Sequence, residues 1–129
     1  MLTLVQKPIY KLHIEHKQWL NKLAFYEEEI AWMQKRIEEL ASKNTNIDAI
    51  ILVEHYRNQL SVQREYIEVL KHDINEHEAY LQKKISQHPA LPDQRKTADH
   101  PHHRSEIESF EKNYDSARKD LIDFLCRVF

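Results

Sequence analysis

The sequence predicts an all-α fold: a long antiparallel helical hairpin with a shorter third helix beside it, packed as a coiled-coil-like bundle. Three observations carry that prediction. The 129 residues contain no glycine, where an average usage of about 7% would give roughly nine. Apolar residues recur in steps of three and four through most of the chain, the rhythm of a helix seam and not of a strand. Where that rhythm breaks, turn chemistry stands in its place: KNTN at Lys43–Asn46, and three of the four prolines within residues 88–104.

The first helix is expected over residues 8–43. Its seam runs Leu12, His16, Trp19, Leu23, Tyr26, Ile30, Met33, Ile37 and Leu40, with His16 the one strongly polar member. Pro8 suits a first turn, where its missing N–H costs nothing, and Asn44 can take the left-handed C-cap that glycine normally fills. Thr45 and Asp48 resemble a capping box that opens the second helix, residues 46–87. That seam runs Val53, Tyr56, Leu60, Gln63, Ile67, Leu70, Ile74, His77 and Leu81, and a flanking stripe of Val62, Tyr66, Val69 and Tyr80 widens it toward a second neighbour. Residues 88–104 read as a proline-rich loop, whose His100, His102 and His103 could capture metal opportunistically, although a flexible histidine tract more often binds nothing physiological. Ser105 and Glu108 form a capping box for the third helix, residues 105–127, with a seam from Ile107 through Phe110, Tyr114, Ala117, Leu121 and Phe124. Residues 1–129 thus form a single helical domain.

Composition excludes several classes of function. Nineteen basic and 21 acidic residues are interleaved for a net charge of −2, so no basic stripe is available for nucleic acid. The longest apolar run, Ala49–Val53, is far short of the roughly 20 residues that span a bilayer. The N-terminus has no secretory pattern, and a single cysteine, Cys126, fits a cytoplasmic setting. Without glycine, phosphate loops, dinucleotide turns and nucleophile elbows cannot be built. Cys126 lies among apolar C-terminal positions, and the runs of glutamate fall at surface helical spacing. No catalytic residue is therefore assigned, and no enzymatic activity is expected.

Two functional expectations remain. At 1.5 Å per residue the long helices reach about 50–60 Å and the third only about 35 Å, so the third should stop before the hairpin turn. Met33, Ile37, Leu40, Ile50 and Val53 would then lie uncovered, with Phe25 and Trp32 off the main seam of helix one. Uncovered apolar surface marks an interface. The leading expectation is protein–protein association as a homodimer, centred on Phe25, Trp32, Met33, Ile50 and Ile51. The alternative cover for this surface is the N-terminal MLTLV segment.

The second expectation is a metal-binding bundle. A hairpin turning near Thr45 sets His13 opposite His77, and His16 opposite Ile74 with Asp73 beside it. The third helix would bring Glu111 to the same height. His13, His16, His77, Asp73 and Glu111 are thus candidate ligands for zinc, iron or manganese. Against this, no Glu-x-x-His occurs, so the carboxylate-bridged di-metal pattern is missing. A seam histidine also serves as a polar register device, as do Tyr26 and Gln63 at mid-seam. Tyr26, Tyr56, Gln63 and Tyr66 additionally offer an amphipathic lining for a small molecule.

The block FYEEEIAWMQKRIEELASKNT, followed by VEHYRNQLSVQREYIEVLKHDI, resembles a set of short, uncharacterised bacterial helical-bundle proteins. The likeness covers residues 25–74. It implies a small cytoplasmic helical protein with no assigned activity, and it transfers no catalytic residue.

Overall fold

Apolar seams on three helices can be buried only against one another, and the computed structural model shows that arrangement. It describes residues 6–43, 46–87 and 94–128. Helix α1 spans Gln6–Lys43, α2 spans Ile47–Gln87 and α3 spans Gln94–Val128. Among the described residues there is no strand. The helices hold 38, 41 and 35 residues, or about 57, 62 and 53 Å at the standard rise. No helix among the described residues is long and apolar enough to cross a membrane.

The seams read from the sequence are the core. Leu23, Ile37 and Ile67 are fully buried, and Ile74, Phe110, Tyr114 and Leu121 nearly so. Aromatic pairs tie α3 to its neighbours: Tyr66 stacks on Phe110 and Tyr56 on Phe124, with ring centroids 5.4 and 4.7 Å apart. Tyr56 is buried in its contact, while Tyr66 stays 43% exposed beside Phe110. At mid-height Glu29 accepts hydrogen bonds from the Tyr114 hydroxyl (2.9 Å) and the Arg118 guanidinium (3.0 Å), locking α1 to α3. Outside the core, Arg57 pairs with Glu38 across the hairpin through two hydrogen bonds of 2.8 and 3.1 Å.

Three local expectations change. The cap of α2 is Asn46, whose Oδ1 accepts the Asp48 N–H at 2.8 Å while its carbonyl accepts the Ile50 N–H at 3.0 Å. Asn44 and Thr45, like the MLTLV segment, lie outside the described residues. Helix α3 begins at Gln94, eleven residues before Ser105, and takes Pro101 into its interior. Much of the expected loop is therefore helix, and Ser105 and Glu108 sit well inside it.

That longer α3 alters the register along the bundle. With residues 94–104 already running beside α2, Ser105 lies well down the hairpin and Phe124 reaches Tyr56. The third helix thus reaches closer to the turn than its expected start at Ser105 allows. Met33, Leu40 and Val53 are buried at 2, 5 and 3% exposure, so Met33 is core and not open interface. Phe25, Trp32, Ile50 and Ile51 do remain exposed, at 46–60%.

Candidate metal centre

The seam steps of α3 continue upstream of Ile107 without a break, to His103 and then His100. At the end of the bundle away from the hairpin turn, each helix therefore places a histidine where its seam would otherwise carry an apolar residue: His16 on α1, His77 on α2 and His100 on α3. All three are buried, at 1, 5 and 1% exposure. Ring centroids of His16 and His77 lie 4.9 Å apart, His16 and His100 5.1 Å, and His77 and His100 5.6 Å. One ring nitrogen from each falls within 4.8 Å of the other two. His16 Nε2 and His77 Nδ1 are closest, at 3.0 Å. A tetrahedral ion with metal–nitrogen bonds of about 2.0–2.1 Å holds its nitrogens about 3.3 Å apart. The hairpin pair, at 3.0 Å, is close to that spacing, and a His100 nitrogen lies within 4.8 Å of both.

Carboxylates surround the imidazoles as metal-bound histidines require. Glu78 accepts hydrogen bonds from His16 Nδ1, from His13 Nδ1 and, at 2.9 Å, from Gln82. With its Nδ1 proton held by Glu78, His16 presents the Nε2 lone pair to His77, the orientation that a carboxylate–histidine–metal relay uses. Burial works to raise the Glu78 pKa, but the donors Gln82, His16 and His13 outweigh it and hold the carboxyl below its ordinary value. On the other side, Glu15 Oε2 lies 3.6 Å from His100 Nε2 and is itself gripped by Arg104 at 2.9–3.1 Å.

His100 decides between packing and ligation. Neither of its ring nitrogens has a hydrogen-bond partner, and 3.6 Å to Glu15 is too long for one. Leaving such buried polar atoms unsatisfied costs on the order of 1–3 kcal/mol each. Its ring stacks on Trp19, centroid to centroid 4.8 Å at 25°. Burial pushes its pKa down to about 4; Glu15 opposes that shift, and His16 and His77 add to it. At neutral pH the imidazole is uncharged, the form that binds a metal.

The expected ligand set is thus partly rearranged. His16 and His77 come together. His13 is drawn away to Glu78 and supports the centre from outside. Asp73 joins His72 and Glu76 in a surface group at the side of α2, and Glu111 pairs with Lys22 at 3.2 Å. His100, Glu78 and Glu15 take the places that spacing had assigned elsewhere. The hairpin register explains the first change: the facing position moves by two for each residue the turn moves, so a turn displaced by about one and a half to two residues brings His77 and Glu78 opposite His16 in place of Ile74. His100 could have been found by extending the α3 seam through Pro101.

Compared with family models, with curated proteins and with solved structures, the chain finds no match in any of the three, so the geometry of this centre carries the functional reading.

Proposed function

We propose that this protein is a metal-binding helical bundle, holding a divalent transition ion such as zinc, iron or manganese between its three helices through His16, His77 and His100. The observation that carries this reading is the His100 imidazole, buried, uncharged and without a hydrogen bond, beside two further seam histidines. An all-imidazole donor set favours borderline ions over magnesium or calcium. The three rings are almost fully buried, so the ion ties the three helices together, with the fourth position of a tetrahedral site left to water. Protein purified without a nickel column and titrated with Zn2+ is expected to bind one equivalent per chain. His16→Ala and His77→Ala should each lose that binding. A folded wild-type chain that takes up no zinc at neutral pH would sink the proposal.

A second reading is self-association as a homodimer through the exposed apolar residues of the hairpin. Phe25, Trp32, Ile50 and Ile51 support it, as does a groove of about 290 Å³ lined by Trp32, Arg36, Leu125 and Cys126. Light scattering should give twice the chain mass at working concentrations, and Trp32→Glu should return the monomer. A wild-type monomer at every concentration removes this reading.

A further inference from the structure

The three ligands are not held alike. His16 and His77 sit on the two helices of one hairpin, with His16 fixed by Glu78 and its Nε2 already 3.0 Å from His77. This half of the centre is made by α1 and α2 alone. His100 arrives on α3, ahead of Ile107, the first apolar residue that α3 buries among those described. Between His100 and Ile107 the seam offers only histidine, so the hydrophobic effect that fixes residues 107–125 has little to grip here. Pro101 weakens the same stretch from within: it has no N–H to give to the carbonyl four residues back, and its ring crowds that turn. The other described anchors of this end are the His100 ring on Trp19, the His103 ring on His77 and the ion pair of Arg104 with Glu15, whose guanidinium side is 44% exposed. A half-exposed ion pair holds a segment less firmly than a buried apolar seam.

We infer that metal occupancy controls the docking of the first turns of α3, so that the ion works as a latch between a preformed half-site on the hairpin and the segment carrying His100. Resting on the metal-binding reading, the latch follows from where its third ligand stands. A ligand that binds one state and not the other stabilises that state by mass action, and the state with His100 in place is the one that completes the centre. When the ion leaves, the stretch from His100 to Glu106 loosens, while Ile107 to Leu125 stays packed by its apolar seam. Loosening uncovers the Trp19 ring and the two hairpin histidines. The chain thereby presents different surfaces in its loaded and empty forms.

Hydrogen–deuterium exchange on the full chain, with and without Zn2+, tests the latch. Zinc should slow exchange of amides in residues 102–106 by about tenfold or more, leave residues 110–124 unchanged, and lose its effect on chelation. In His100→Ala the hairpin pair should still bind Zn2+, more weakly, with no slowing in residues 102–106. Stoichiometric zinc uptake by the wild type without a change in that segment overturns the latch and leaves the metal-binding reading intact. The same slowing in His100→Ala as in the wild type also overturns it. Failure of the wild type to bind zinc overturns both.

Discussion

Glu78 shows how much of the centre rests on one carboxylate. Its two oxygens receive His13, His16 and Gln82, so it fixes which nitrogen of His16 keeps the proton and which faces His77. Replacing a carboxylate behind a metal-bound histidine typically lowers affinity by about 10–100-fold. Glu78→Gln is expected to weaken Zn2+ binding within that range in a competition titration, with little change in thermal midpoint. Unchanged affinity would mean that Glu78 only packs beside the imidazoles. At this scale the sequence was informative about residue types and poor about partners. That His16 and His77 lie in seams was legible from the three-four rhythm. That Glu78 and not Asp73 meets His16 was not, because the facing position moves by two residues for each residue of uncertainty in the turn, and the cap proved to be Asn46.

Among the elements, α1 and α2 were legible almost to their ends, since long amphipathic helices have a strong period and few competing readings. Helix α3 was not. Three prolines and no apolar rhythm argued for a loop over residues 88–104, yet the helix begins at Gln94 and runs through Pro101. Local propensity disfavours that, and tertiary contacts override it: His100 is buried against Trp19, and Arg104 grips Glu15. The seam period did extend into this region, but its members there are histidines, which a search for apolar residues passes over. Missing those turns also set the far end of α3 too far from the turn, and Met33 and Val53, expected to be open, are core.

The whole molecule carries a second polar layer, between α1 and α3, that responds to pH differently from the metal end. Burial raises the pKa of Tyr26, reinforced by the carboxylates of Glu111, Glu29 and Asp115. Burial also raises that of Tyr114, reinforced by its hydrogen bond to Glu29. Because both phenols resist ionisation in the fold, the unfolded chain releases protons first. The stability these phenols contribute is then constant below the ordinary phenol pKa of about 10 and is lost as pH rises past it. Urea denaturation followed by circular dichroism should show that decline, and Tyr114→Phe should reduce it. A decline of equal size in Tyr114→Phe would place its cause elsewhere.

The two tryptophans stand one at each surface with a proposed role. Trp19 is buried in stacking contact with His100, whereas Trp32 is more than half exposed beside Arg36 on the apolar groove. Their emission is therefore separable: a blue-shifted band from the buried indole, and a red-shifted band open to collisional quenchers from the wet one. A paramagnetic ion such as Co2+ among the three imidazoles would quench the first band, and burial of the groove by a second chain would shift the second. The molecule thus contains its own two-channel optical readout, with ligation reported by one indole and assembly by the other.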